Sequence, residues 1–340
     1  MFPLIFFGLT NSAHGTEVGL SLAGPIRYHT EMYIDAGSPM RFRGQNNSEA
    51  RVSVQTMAMD LTCAGEEKRR TWNMVCTIDS IALAANAYRA EEQGSLDIIT
   101  AQYQTLLSAA TIQLEFRKDG RINLVDVEGV SKHDEEASEI HEVLRQLVRR
   151  SLAPLDIQWP RNGQIDQDDD WKRRSGAIAF ELFTDRGTFG GSIIEYVAPS
   201  VTDESITMAF SGHGNVSVAM DPMVEQGMAM DAGGSGSSPR YALASQGQGR
   251  FDVAAGHWNY ADFTTSGEMT GTVITGVANQ YTQAAWVGII NPDGTVEGLL
   301  ADNEQPEIQQ ESSPLNQDAT QVEGDPDELP VVEEVQETLQ

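Results

Sequence analysis

The chain has 340 residues, 40% of them hydrophobic, which is enough for one large core or two modest ones. Its formal net charge is −28, and from Ala301 onward there are twelve acidic residues with no Lys or Arg. Even without that stretch the rest carries −16, which argues against binding nucleic acid or anionic lipid and favours a cation or a basic partner. Past the first residues no apolar run approaches the roughly 18 needed to span a bilayer, so the mature chain is expected to carry no membrane-spanning helix.

The N-terminus opens on an apolar block from Met1 to Leu9 and then turns to small residues. Ala13 and Gly15, two positions apart, fit a signal-peptidase site before Thr16, so residues 1–15 are expected to be a leader of a periplasmic or secreted protein. No basic residue precedes the block, and an ordinary buried strand is the competing reading.

Residues 27–34, 51–63 and 72–83 alternate apolar and polar side chains, as in Val52, Val54, Met57 and Met59, or Met74, Cys76, Ile78 and Ile81, with slips expected at bulges. They predict antiparallel strands. Cys63 and Cys76, the two cysteines, flank a polar hairpin loop at 64–71. If 61–63 and 72–77 are its arms, the sulfurs face each other, and an oxidising compartment favours a disulfide over two buried thiols.

Two helices are predicted. At 95–110, Ile98, Ile99, Tyr103, Leu106 and Leu107 follow helical spacing, with Ser95 or Asp97 able to cap. At 134–152 the signal is stronger: Ile140, Val143, Leu144, Leu147 and Val148 form one stripe, Asp134, Glu135 and Glu136 sit in the first turn, and Arg145, Arg149 and Arg150 near the end. This second helix is expected to lie on a sheet, with His133 and His141 on its solvated side.

Further short strands are expected at 177–183, 190–197, 205–211, 215–220, 240–245, 249–253, 257–265, 270–277, 286–290 and 295–300, with a turn at Asn291 to Gly294 and a long loop over 221–238. Residues 120–127 and 256–263 share Gly, Asn and Asp at equal positions, each run following a strand with Phe116 or Phe251. Duplication of two related halves meeting near 155–172 and a recurrent hairpin grammar explain this echo equally well. The Pro-containing acidic stretch 301–340 is expected to be disordered, because it cannot bury enough apolar surface to offset chain entropy.

Candidate chemistry is sparse. Met220, Met223, Met228 and Met230, with Met57 and Met59, offer thioethers to Cu(I), but Met also fills cores. Asp166, Asp168 and Asp170 alternate like the start of a calcium loop, yet Trp171 stands where the turn Gly belongs and Ala177 where the distal Glu belongs, so a solvated loop is favoured. The six histidines show no metal-ligand spacing, and the 233–237 Gly/Ser run lacks the strand-to-helix context of a nucleophile elbow. No catalytic residue, metal or cofactor is therefore assigned.

The order of a Gly-turn hairpin, a helix, Ile157-Gln-Trp-Pro160, a polar linker and Asp169-Asp-Trp171 resembles uncharacterised bacterial exported β-rich proteins, a domain of unknown function. In that pattern a Gly stands where this chain has Asp168. The resemblance covers roughly residues 100–265 and implies a lipoprotein-carrier-like curved sheet with helices against one face.

The expectation is thus a mainly β (α+β) region over 16–300, built as a curved antiparallel sheet or half-barrel with one or two amphipathic helices packed on it. The functional reading is a non-enzymatic envelope protein that binds an apolar ligand or a protein partner. The competing readings are a hydrolase whose site assembles only in three dimensions, around His213 or His257, and a scaffold acting through its acidic tail.

Overall fold

The computed structural model describes residues 16–22, 24–44, 48–69, 71–160, 163–175, 188–218, 240–270 and 280–298. The expected leader at 1–15, the strand at 177–183, the strand beyond Thr270, the loop at 221–238 with its methionines, Met220 and the acidic stretch 301–340 lie outside them.

The fold is mainly β, with an open, curved antiparallel sheet and two helices. The strands are β2 (Ile26–Arg43), β3 (Glu49–Glu67), β4 (Thr71–Ala87), β5 (Thr111–Arg117), β6 (Ile122–Glu128), β8 (Asp170–Ser175), β9 (Thr188–Val201), β10 (Ser205–Val218), β11 (Arg240–Asp252), β12 (His257–Thr270) and β13 (Gln280–Ile289). They run in the order β6-β5-β4-β3-β2-β13-β12-β11-β10-β9-β8, while β1 (Thr16–Glu17) and β7 (Gln164–Ile165) form a separate short pair. Each wing is thus a meander of neighbours in sequence, and the two wings join where the first long strand, β2, pairs with the last, β13.

Burial has a period of two. Along β2, Ile26, Tyr28, Thr30, Met32 and Ile34 are buried and the residues between them are more exposed. The expected slips are bulges, at Val52 to Val54 and at Asp60 to Leu61. Strand continues through 64–67, where a loop is expected, so the hairpin turn shrinks to the residues around Lys68.

Helix α1 (Gln93–Ser108) packs on β4, β3 and β2. It begins earlier than its expected caps, and neither Ser95 nor Asp97 caps it. A 3-10 turn at Ala90–Glu92 leads into it; Glu92 turns away to accept from Arg51 N (2.9 Å), and Gln93 Oε1 accepts from Ala87 N (2.8 Å), tying the helix start to the end of β4. Helix α2 (Glu135–Ser151) packs on β2, β6 and β13, with Asp134 accepting from Ala137 N (2.8 Å) as its N-cap. Its solvated side is narrower than expected. His141 is buried, its Nε2 3.1 Å from Val127 O and 3.0 Å from Asp126 Oδ1, and Arg150 is also buried. Both sit on faces that meet strands on either side of the helix.

The C-terminal wing has fewer and longer strands than its glycines imply. The expected strand pairs 205–211/215–220 and 240–245/249–253 are each one continuous element, so His213 lies in β10 and not in a turn. Gly212 and Gly247 leave the space that neighbouring side chains fill: a Cβ at Gly212 would meet Ile194, and one at Gly247 would meet the Phe210 ring and Asp262 O. The turn at Asn291 to Gly294 is present, with Gly294 at φ +85° and its N–H donating to Asn291 O (2.9 Å). After the turn comes a single bridge, Ile290 to Val296, and not the strand expected at 295–300; residues 299 and 300 lie outside the described set. Replacing Gly247 by Ala is expected to displace Phe210 and lower stability by about 1–3 kcal/mol, read as a lower urea midpoint with unchanged slope.

Candidate ligand-binding face

Alternation gives the sheet two chemically different faces. The outer one carries Arg27, His29, Glu31, Asp60 and Thr62; the inner one carries the core and both helices. On the inner face three registers are informative. The first runs through Met57, Met32 and Ala285 to Phe263, and continues past Gly247 to Phe210, Tyr196 and Trp171. Its rings are in contact: Trp171 stacks on Tyr196 at 5.3 Å, Tyr196 meets Phe210 at 5.8 Å, and Phe210 reaches Phe263 at 5.9 Å across the strand that holds Gly247. The second, adjacent register is polar: Gln55, Ile34, Gln283, Thr265 and Ser245 are successive partners along the ladder. All five are buried, and Ser245 and Thr265 satisfy each other at 2.9 Å. The third, at the opposite end, is closed by Trp159, which stacks on Trp258 at 5.2 Å and meets Phe251 edge-on at 4.8 Å.

The helices do not cover these registers evenly. Their main contacts fall on β2, β3, β4, β6 and β13, whereas β12 is met by the 3-10 turn Ala153–Leu155. The next segment crosses to the far wing, where Gln158 O accepts from Trp171 Nε1 (2.7 Å) and Trp159 O from Arg173 (2.7 Å). This segment holds the most perturbed carboxyl. Asp156 Oδ1 accepts from Ile122 N (2.6 Å), and burial pushes its pKa up to about 7; Arg121 and Arg149 oppose the shift and Asp119 adds to it. Nearby Tyr196 is raised by its own burial and then by the Asp156 charge.

Among the described residues the alternative enzymatic constellations do not assemble into a reactive set. On the outer face Asp60 links two groups, with His29 Nδ1 2.6 Å from Oδ1 and Ser80 Oγ donating to Oδ2 at 2.8 Å, while His29 Nε2 faces Glu31 at 3.2 Å. The order is Ser, Asp, His and Glu, so the hydroxyl donates to the carboxylate and no imidazole stands ready to take its proton. The His29 pKa is raised, through its bond to Glu31 first and to Asp60 next, against burial. His213 is exposed, and burial holds the His257 pKa below the usual value; among the described residues neither has a Ser or Asp side chain hydrogen-bonded to it. Asp166, Asp168 and Asp169 form a tight turn, in which Asp169 Oδ2 accepts from Asp166 N (2.8 Å) and Asp168 N donates to Ala198 O (2.7 Å). Asp168 has φ +64°, the left-handed geometry that glycine adopts most easily. Among the described residues no three His, Cys, Asp or Glu side chains converge as metal ligands.

Cys63 and Cys76 are directly paired across β3 and β4 and form a disulfide, both buried. Sequence reasoning missed the polar register, because Gln, Thr and Ser at alternate positions read as an outward face.

No protein-family model matches the chain, and no curated protein matches it. Among solved structures the chain is similar to one titled lipid–protein interactions in lipovitellin, with 8% identity, a TM-score of 0.39 and coverage of 78% of this chain and 25% of that one. That likeness is too distant to carry a function across.

Two outcomes are expected from this geometry. Removing the disulfide by Cys63→Ala with Cys76→Ala should cost about 3 kcal/mol through the freed loop of the unfolded chain, measured by urea unfolding against the oxidised protein. For Asp156, the folded pKa is raised above the ordinary carboxyl value, so the stability associated with the neutral form is greatest below about pH 4, falls as pH climbs to about 7, and is flat beyond. Asp156→Asn retains an acceptor for Ile122 N, so variant and wild type should unfold alike at pH 4, and the variant should be more stable by roughly 2–4 kcal/mol at pH 8.

Proposed function

We propose that this chain is a non-enzymatic binding protein of an oxidising compartment, whose inner sheet face across β9–β12 takes up an apolar small molecule. One observation carries the reading: the aromatic register from Phe263 to Trp171 crosses a wing where the helices make none of their main contacts. Binding sites for apolar molecules are lined mainly by aromatic and aliphatic groups with a few placed polar ones. The two adjoining registers supply both kinds. The Cys63–Cys76 disulfide supports placement outside the reducing cytoplasm. No helix among the described residues is long and apolar enough to cross a membrane. The outer face, with its charged alternation, supports orientation of that second side toward water.

The purified protein should release a lipid-like molecule on organic extraction, identified by mass spectrometry. After delipidation it should bind an environment-sensitive apolar dye, with Phe210→Ala weakening binding by about tenfold. An empty extract together with no dye binding by the delipidated protein would reject the reading, and co-purification of a stoichiometric protein instead would favour a partner on the same face.

A further inference from the structure

Residues 153–160 leave the end of α2 and cross from β12 and β13 to the far wing. Pro154, Leu155, Ile157, Gln158 and Trp159 are buried, so the segment is a strap laid on the core and not a surface loop. Its hold on β8 is made by two backbone oxygens: Gln158 O accepts from Trp171 Nε1 and Trp159 O from Arg173, both at 2.7 Å. Trp171 and the Tyr196 ring stacked on it are the last two members of the aromatic register, so the strap lies at one end of the face proposed to take an apolar molecule.

The polar groups of this segment are less well matched than is usual for buried ones. Trp159 Nε1 has no hydrogen-bond partner, and neither has Oδ1 of Asp119, which stands 3.5 Å from the Arg117 guanidinium. The carboxyl group of Asp156 is enclosed although the residue as a whole is partly exposed, and it is met by Ile122 N at 2.6 Å. Its titratable and charged neighbours come from every side: Asp119 and Arg121 from the turn between β5 and β6, Arg149 from α2 and the Tyr196 phenol from β9. The two cations ease ionisation and Asp119 opposes it, but burial outweighs them all, so the closed arrangement favours the neutral acid. A carboxylate in the same place gains by moving toward water, and a neutral acid does not.

We propose that residues 153–160 form a pH-operated strap over the Trp171 end of the apolar site, closed with Asp156 protonated and opening as that carboxyl group gives up its proton to water. This rests on the apolar-ligand reading and adds to it a control on ligand exchange. Closed, the acid keeps its proton up to about pH 7; open in water, it loses the proton in the ordinary carboxyl range. Opening therefore becomes more frequent as pH rises from about 4 to 7 and levels off above. Trp159, stacked on Trp258 and edge-on to Phe251, keeps the strap down most of the time in either charge state, so the charge sets how often it lifts.

Hydrogen exchange of the full-length protein, read by mass spectrometry at pH 5 and pH 8 and corrected for the intrinsic rate at each, tests the movement without any ligand. Protection of the peptide spanning 153–160 should fall about tenfold or more between the two, and by more than that of a β3 peptide spanning 57–63. Asp156→Asn should keep its pH 5 protection at pH 8. Over the same range, release of Nile red from delipidated and reloaded wild type should quicken about tenfold, and release from the variant should stay slow. Strap and β3 peptides that change together, or not at all, would overturn the proposal, and the wild type alone gives that answer if the variant fails to fold. Nile red that binds but leaves equally fast at both pH values would overturn the strap's control and leave the apolar-ligand reading standing. No binding at either pH would reject that reading and the gate with it.

Discussion

The pairing of β2 with β13 is the joint on which the rest of the molecule depends. Every other neighbouring pair in the large sheet is adjacent in chain order, so non-local ordering is concentrated in the eight positions where Tyr28 to Asp35 meets Ile289 to Thr282. Loop-closure entropy grows only logarithmically with separation, so bringing these ends together from opposite parts of the sequence is thermodynamically modest; it weighs more on rate. The joint is held on both sides. Met32 and Ile34 are buried beside Ala285 and Gln283 within, and His29 lies against the Trp286 ring at 5.6 Å outside. Both α2 and the polar register straddle it, so each is complete only when the two wings are joined.

A second tie runs through Trp159. Its backbone N–H donates to Asp119 O at 2.8 Å, its ring lies against Gly120, where a Cβ would collide, and its far side meets Trp258 and Phe251. Gly120 and Gly256 are both left-handed, at φ +85° and +72°, and each hairpin has a register shift beside its phenylalanine, Phe116 in one and Phe251 in the other. The sequence echo between 120–127 and 256–263 thus corresponds to one local solution used twice, with Trp159 set against the first turn and against the strands that lead into and out of the second. Its energetic sense is plain: a glycine turn and a bulge give each hairpin the twist that lets a large ring seat over it.

How much of this is legible in the chain depends on whether local patterning or tertiary contact decides each element. Strands β3 and β4 show in the alternation of Met57, Met59, Met74 and Cys76, and the disulfide is a consequence of their register. Helix α2 shows in its apolar stripe and in the acidic residues at its start, both local, although Asp134, read as part of the first turn, is its N-cap. The start of α1 is hidden because Gln93 serves β4, a contact no propensity reveals. Strands β10 and β11 each read as two because Gly212, Gly214, Gly247 and Gly249 look like turns, whereas in the sheet Gly212 and Gly247 are spaces for Ile194 and Phe210. Short β8 escapes notice because Asp169 and Asp170 at its start read as a solvated loop. The candidate face is legible only as aromatic residues scattered over 171–263; the ladder turns them into neighbours.

Charge is where local and global arguments diverge most. The overall balance of −28 favours cationic partners, and that holds for the outer face and for encounters at long range. Inside there is little fixed charge: among the described residues Arg150 is the one permanently charged side chain that is buried. At physiological ionic strength surface charges are felt over about 8 Å, whereas a buried guanidinium acts through a medium that screens it far less. A group on the inner face therefore responds to its immediate buried neighbours and not to the acidic surface. The total charge of the chain is accordingly a poor guide to the chemistry of its interior, where the polar groups that stand out are the buried amides of Gln55 and Gln283.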